Sequence, residues 1–306
     1  MLELIQETAQ RIRKLEIQGA RNVAISAIKA LETSSKETKS KNKEEFLQEL
    51  NEAKKILFET RETEPLMRNI IRCVINQVKN CKNDEIEELI KIISIATKKF
   101  LKDLDNSRKE IANIGARRIK ESSLILTHCH SSTVTQLLKK AKENGKSFDI
   151  VCTETRPRFQ GRLTAKEMLE LGVKTTLIVD SATRYYINNV DLVLVGSDAI
   201  TSEGNVINKI GTSAIALAAH EARTPFYVVS ELLKFDPQTM RGDYEIIEER
   251  SPEEIWKDCP KGLIIKNPAF DITRRDFIHG IICEAGIIPP HSIIDIIRRK
   301  YPWVFD

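Results

Sequence analysis

Asp191–Thr212 reads DLVLVGSDAITSEGNVINKIGT. It opens on the apolar run Leu192–Val195, a pattern that predicts a strand buried on both faces of a parallel sheet. The run stops at Gly196-Ser197-Asp198. A carboxylate therefore stands just past the C-terminal edge of the sheet, where open α/β sheets bind their ligands. Gly204-Asn205 marks a turn. Asn208-Lys209-Ile210-Gly211-Thr212 then leads into an apolar helix over Ser213–His220. An acid, an amide, a cation and a helix start this close together suit an anionic ligand. A single Asp after a strand also serves as a cap or turn residue; the clustering favours a site.

Outward from this stretch the same alternation recurs. Leu124–Leu126, Ile150–Val151, Thr176–Val179 and Phe226–Val229 predict further strands. Helices are predicted near Val134–Glu143, Ala165–Leu171, Ala182–Ile187 and Ser213–Glu221. Strand and helix alternating at this spacing imply right-handed βαβ units, hence a Rossmann-like, doubly wound parallel sheet. No GxGxxG follows the first strand, so a dinucleotide fingerprint is missing.

Upstream the chain changes character. The first 114 residues hold one glycine, Gly19, and one proline, Pro65, against eleven and nine in the remaining 192. Leu2, Ile5, Ala9, Ile12 and Leu15 recur at helical spacing, as do Phe46, Leu50, Ala53 and Leu57. The expectation is an α/β chain with a helical N-terminal domain over residues 1–120 and a Rossmann-like catalytic domain over 121–306. Ser34–Lys43, apolar-free and lysine-rich, is predicted as a solvated inter-helix loop.

Composition narrows the partners. The 306 residues carry 48 Lys+Arg and 44 Asp+Glu, a net charge of +4. That excess is too small for a dedicated nucleic-acid binder, and none is expected. Cys73, Cys81, Cys129, Cys152, Cys259 and Cys283 form no CxxC pair, which reads as reduced thiols in a cytoplasmic protein. The N-terminal MLELIQETAQRIRKLE is a charged amphipathic helix rather than a signal peptide. No apolar run approaches the roughly 18 residues of a membrane span.

The other strand ends carry candidate chemistry. His128-Cys129-His130 invites a metal, but neighbours on a strand face opposite ways and no fourth ligand is near, so no metal is expected. In the other reading Cys129 ends the strand and Ser131-Ser132-Thr133 opens a helix whose N–H groups and hydroxyls cradle an anion. That helix end would lower a thiol from about 8.5 toward neutrality, making a thiolate base; a buried, inert thiol is the alternative. Arg156 and Arg158 in the next loop suit a further phosphate contact, Arg156 foremost, or a surface ion pair. Asp180 reads as a helix N-cap. Lys234 places one more cation at the edge. Arg21 and Arg61 are candidates if the helical domain folds over the sheet edge, and helix-surface arginines otherwise.

LTHCHSS, TETRPRFQG, VDSA, GSDAI, NKIGT, LLKFDP, NPAFDIT and AGIIPP, in that order, resemble one family. It comprises the α/β/δ regulatory subunits of eukaryotic initiation factor 2B and the isomerases of methylthioribose 1-phosphate and ribose 1,5-bisphosphate. The likeness spans essentially the whole chain, is most specific from Thr127 to Pro237, and lies nearest the mainly archaeal bisphosphate isomerases. It implies conversion of α-D-ribose 1,5-bisphosphate to D-ribulose 1,5-bisphosphate in archaeal nucleoside-monophosphate (AMP) degradation. The implied route is acid–base, through ring opening and an enol phosphate, without metal or cofactor. The resemblance makes Cys129 the proton acceptor and Asp198 the proton donor. It assigns substrate binding to Gly19, Ala20, Arg21, Arg61, Ser131, Ser132, Thr133, Asn208, Lys209 and Lys234.

Three departures imply weaker or differently shared anion binding: Gln18 for the usual arginine, Glu62 for the usual proline, and Ser132 where a lysine is frequent. The family leaves two alternatives, a regulatory subunit without chemistry and the methylthioribose-1-phosphate isomerase. It also implies a homo-oligomer, a dimer or a hexamer built as a trimer of dimers. The apolar segment 286–305 is the candidate interface, or else part of the chain's own core.

Overall fold

The computed structural model describes residues 2–61, 63–242 and 246–305. It divides into two compact units, Met1–Asn106 with Tyr301–Asp306, and Ser107–Lys300. The first is all-helical: α1 (Leu2–Arg13), α2 (Ala20–Ser35), α3 (Lys43–Phe58), α4 (Pro65–Asn80) and the start of α5 (Ile86–Ala116). Local chemistry sets these ends. Asn42 caps α3 by accepting from the Glu45 N–H, and Pro65 opens α4 where its missing N–H costs nothing. Each helix buries one stripe, such as Phe46, Leu50, Ala53 and Leu57 of α3. The solvated loop is shorter than Ser34–Lys43 suggests, because Ser34 and Ser35 finish α2 fully buried.

The second unit runs β1 (Ser123–Thr127), α6 (Ser132–Glu143), β2 (Phe148–Thr153), α7 (Gln160–Glu170), β3 (Thr175–Ile178), α8 (Thr183–Tyr186) and β4 (Leu192–Val195). It continues through β5 (Ala199–Ile200), β6 (Val206–Lys209), α9 (Thr212–Glu221) and β7 (Phe226–Val229). It closes with β8 (Phe270–Thr273), β9 (Gly280–Cys283), β10 (Gly286–Ile288) and α10 (Ile293–Lys300). The main sheet has the order β10-β9-β7-β4-β1-β2-β3. All its pairs are parallel except β10 on β9. The five strands expected from the sequence form its contiguous run β7-β4-β1-β2-β3, which ends at the β3 edge. From β1 the chain steps outward to β2 and β3, then returns to β4 on the other side. That reversal places a ligand crevice at the C-terminal ends of β1 and β4.

A second sheet, β5-β6-β8, is antiparallel and was not expected. Its strands are two to four residues long, too short for a period to register. It matters because Asn208 and Lys209 lie on β6 rather than in a loop. The apolar C-terminal segment is partly consumed within the chain: Ile293 and Ile297 of α10 are fully buried. In the helical unit Trp303 packs edge-on against Phe100 at 5.7 Å. Among the described residues no helix is long and apolar enough to cross a membrane, and no cluster of His, Cys, Asp and Glu could hold a metal ion.

Candidate functional site

The end of β1 is built under strain. Cys129 adopts the left-handed region (φ 66), as does Thr155 (φ 64) in the facing loop after β2, a conformation that costs a non-glycine residue free energy. Hydrogen bonds hold both. The Cys129 N–H donates to Thr155 Oγ1 at 2.9 Å, and the Cys129 carbonyl accepts from Thr164 Oγ1 at 2.9 Å. The Thr155 and Arg156 N–H groups donate to the two oxygens of Asp180 at 2.8 and 2.7 Å. Asp180 is thus no helix N-cap. Its carboxylate reaches across to the neighbouring strand's loop, because two adjacent N–H groups there have left the sheet ladder.

His128 and His130 flank the thiol but point elsewhere. His128, buried, contacts Thr153 Oγ1 through Nδ1 at 2.6 Å and the Ile210 carbonyl through Nε2 at 2.8 Å. The carbonyl requires an Nε2–H donor; in the neutral ring Nδ1 then accepts from the threonine. Burial, the dominant effect, also lowers its pKa. His130 Nδ1 lies 3.0 Å from Thr164 Oγ1. β1 ends at Thr127 and Cys129 is left-handed, so it is hydrogen-bonded loop geometry rather than strand alternation that turns the two rings away from the thiol.

Of the two readings of Cys129, a thiol activated by the helix end and a buried one, the direction of its pKa follows burial. Burial pushes the thiol up to about 11 on a residue that keeps some solvent contact; the Lys209 charge opposes this, and Asp198 and Asp180 add to it. A hydrogen bond from the His130 backbone also pulls the pKa down, without offsetting burial. Two consequences are measurable. If the thiolate works together with a protonated acid, their opposed pH dependences cancel between the two pKa values, and the inflection that the thiol imposes on kcat/KM falls near pH 11. A thiol of lower pKa would move that inflection to about pH 8. Stability runs the opposite way. The folded pKa lies above the unfolded one, so the Cys129 contribution is lost as pH climbs from about 9 to 11, and Cys129→Ser removes that loss.

The β4 side closes onto β1. Gly196 is buried, and a Cβ there would lie 2.7 Å from both Cβ and Oγ of Ser131 and 3.9 Å from Asn208 Oδ1. Only glycine permits that approach. Asp198 follows, half-buried, its N–H donating to the Ile207 carbonyl at 2.8 Å. Asn208 and Lys209 on β6 are buried. The Asn208 amide donates to Thr212 Oγ1 at 3.0 Å, and the Lys209 ammonium lies 4.9 Å from the centroid of the Phe270 ring. Lys234 is buried too. Its ammonium donates to the Ser197 carbonyl at 2.7 Å and pairs with Glu231 at 3.2 Å. Thr133 Oγ1 donates to the same Glu231 at 3.3 Å. Ser132 is exposed at the first turn of α6.

Cys129, Ser131, Thr133, Asp198 and Lys234 therefore follow strands of the main sheet at one edge, and β6 of the small sheet brings Asn208 and Lys209 to it. Arg156 does not turn into it: its guanidinium donates to the Ile255 carbonyl at 3.2 Å and lies over Phe159. Arg158 pairs with Glu254 at 3.0 Å. In the helical unit Gly19 stands at the head of α2 with φ 82 and Ala20 is buried behind it. Arg21 donates to the Leu104 carbonyl at 2.7 Å and pairs with Asp105 at 2.5 Å; Arg61 pairs with Glu64 at 3.3 Å. Gln18 donates through its side chain to the Leu15 carbonyl at 2.7 Å, and Glu62 lies outside the described residues.

Two acids escaped the sequence reading. Glu231 is one. The other is Asp271 on β8, which accepts from the N–H groups of Gly211 at 2.8 Å and Ser213 at 3.1 Å. It caps α9 from a strand distant in sequence, so only the fold reveals it. Burial raises its pKa to about 6, against the pull of those two hydrogen bonds. Its stabilising contribution is complete below about pH 4 and lost as pH rises through 6. Asp271→Asn is expected to flatten the pH dependence of Tm between pH 4 and 6; an unchanged slope would refute the assignment.

A Rossmann-like sheet whose switch point carries a strained cysteine, a carboxylate and buried cations defines the α/β class of this chain. A sequence profile of the Initiation factor 2 subunit family matches residues 16–290, and the chain belongs to that family. It is 42% identical over 307 residues to a ribose 1,5-bisphosphate isomerase of Methanocaldococcus jannaschii, covering 99% of this chain and 97% of that protein. It is 41% identical over 304 residues to a ribose 1,5-bisphosphate isomerase of Thermococcus kodakarensis, covering 97% and 94%. A solved structure of translation initiation factor eIF-2B from Pyrococcus horikoshii matches with a TM-score of 0.82 at 29% identity, over 95% of this chain and 98% of that one.

Proposed function

We propose that this protein isomerises α-D-ribose 1,5-bisphosphate to D-ribulose 1,5-bisphosphate. One observation carries the reading: the thiol of Cys129 and the carboxylate of Asp198 end adjacent strands at the switch point, with Lys209 and Asp198 both acting on the thiol's charge.

C1 of this substrate bears a phosphate, so ring opening releases no free aldehyde. Asp198 in its acid form protonates the ring oxygen, and the C1–O bond breaks to leave a cationic C1. That cation acidifies the C2 proton. Cys129 as thiolate removes it, and the electron pair forms the C1–C2 double bond of an enol phosphate. Collapse to the ketone returns a proton from the thiol to C1 and gives the O2 proton back to the Asp198 carboxylate. Both groups end as they began, and each proton transfer is worth roughly 10²–10⁴-fold. Ser131, Thr133, Asn208, Lys209 and Lys234 supply hydroxyl, amide and ammonium donors for phosphate at the same edge. The protein would act in the cytoplasm, in nucleoside-monophosphate breakdown, as a homo-oligomer; light scattering should return at least twice the mass of one chain.

The likeness to a translation initiation factor supports a second reading, a regulatory subunit that binds sugar phosphates without turnover. Proton NMR of the purified protein with α-ribose 1,5-bisphosphate separates the two. Appearance of ribulose 1,5-bisphosphate establishes the isomerase. Binding without turnover sinks it, and faster turnover of methylthioribose 1-phosphate would reassign the substrate.

A further inference from the structure

Glu231 is 1% exposed and sits two residues past β7. Its carboxylate accepts from the Thr133 hydroxyl at 3.3 Å and forms an ion pair with the Lys234 ammonium at 3.2 Å. Both partners belong to the set assigned to substrate phosphate. Lys234 also donates to the carbonyl of Ser197, the residue before Asp198, at 2.7 Å. The Ser197 and Ser230 hydroxyls meet at 2.5 Å. One buried acid thus ties together the first turn of α6 and the ends of β4 and β7. Bridging a hydroxyl and an ammonium needs an acceptor, which a neutral amide also provides. Burying a full negative charge to do so brings little net stability.

We propose that Glu231 is a built-in counter-anion that sets the affinity of this edge for phosphate. The inference rests on reading the edge as a phosphate site. Glu231 keeps Lys234 charged and aimed, and its own charge opposes any dianion that binds beside that lysine. An ammonium has three N–H donors; the Ser197 carbonyl takes one, Glu231 pairs with the charge at 3.2 Å, and a remaining donor is what a phosphate engages. Glu231 is accordingly a positioning residue whose charge, rather than shape, is its function.

Glu231→Gln keeps the shape and an acceptor for Thr133 while deleting the charge. Titrating the full-length protein with inorganic phosphate by calorimetry should show Kd falling about tenfold, the lower end of coupling between close charges. Glu231→Asp should retain the wild-type Kd, and E231Q/K234M should lose the gain. With ribose 1,5-bisphosphate, E231Q should lower KM and leave kcat within about threefold. Unchanged or weaker phosphate binding by a folded E231Q reduces Glu231 to a structural bridge and overturns the proposal. Should E231Q not fold, Lys234→Met serves: with Glu231 unopposed it should bind phosphate about tenfold more weakly than E231Q/K234M, and equal affinities overturn the idea. Phosphate binding needs no turnover. A protein that follows this pattern yet isomerises nothing keeps the inference and loses the isomerase reading. Undetectable phosphate binding by both wild type and E231Q overturns the inference whatever the turnover.

Discussion

Cys129→Ser and Asp198→Asn are each expected to lower kcat for ribose 1,5-bisphosphate by at least about 10²-fold, with KM changed only a few-fold. Both replacements are near-isosteric. Serine keeps the volume of Cys129 and the hydrogen bonds of its backbone to Thr155 and Thr164, but a hydroxyl is a far weaker carbon base than a thiolate. Asparagine keeps the size of Asp198 and cannot donate an acidic proton. The two variants should fail at different steps. Neither should exchange the C2 proton in heavy water: Asp198→Asn stops before ring opening, and Cys129→Ser stops at C2 deprotonation. The double variant should lose little more than the worse single one, because the two groups act as a relay. A Cys129→Ser variant within threefold of wild type would remove the thiol from the mechanism.

The second large effect lies outside the reacting groups. A Cβ added at Gly161 would sit 1.7 Å from the backbone oxygen of Thr153 and 3.1 Å from the Glu154 carbonyl carbon. Backbone cannot swing aside as a side-chain tip can, so α7 and the end of β2 must separate. Gly161→Ala is expected to cost about 3 kcal/mol or more, and Tm should fall by roughly 5–10 °C. Catalysis should fall with it. The displaced backbone carries Thr153, which holds His128, and leads to Thr155, which holds the Cys129 N–H. Gly172 is the internal control: nothing lies within 4 Å of its Cβ position and only its φ of 68 opposes alanine. Its replacement should cost about 1 kcal/mol and leave kcat intact. Equal losses at the two positions would show that steric contact at Gly161 is not the cause.

Much of this protein is written in local pattern. The apolar runs at Leu192–Val195 and Phe226–Val229 are four residues each and wholly buried, because a strand covered on both faces has no polar side to display. Glycine and proline scarcity before Gly115 marks the helices. Each strand end is flagged by its own residues, so Cys129, Asp198 and Lys234 were legible as edge groups once the strands were placed.

What local pattern cannot encode is which groups meet across the chain. Asp180 looks like a helix cap beside Ser181-Ala182, yet it holds Thr155 and Arg156. Asp271 and Glu231 look like ordinary acids on or after short strands, yet one caps α9 and the other binds Lys234. Arg156 looks like a phosphate clamp and turns to the Ile255 carbonyl. The Cys129 thiol looks activated by a helix and is instead made harder to ionise by burial. The period of apolar residues reports which face of an element is covered, and the amino-acid sequence settles that alone. Pairing of charges and the dielectric around them depend on loops brought together from distant strands, and only the folded sheet edge decides them.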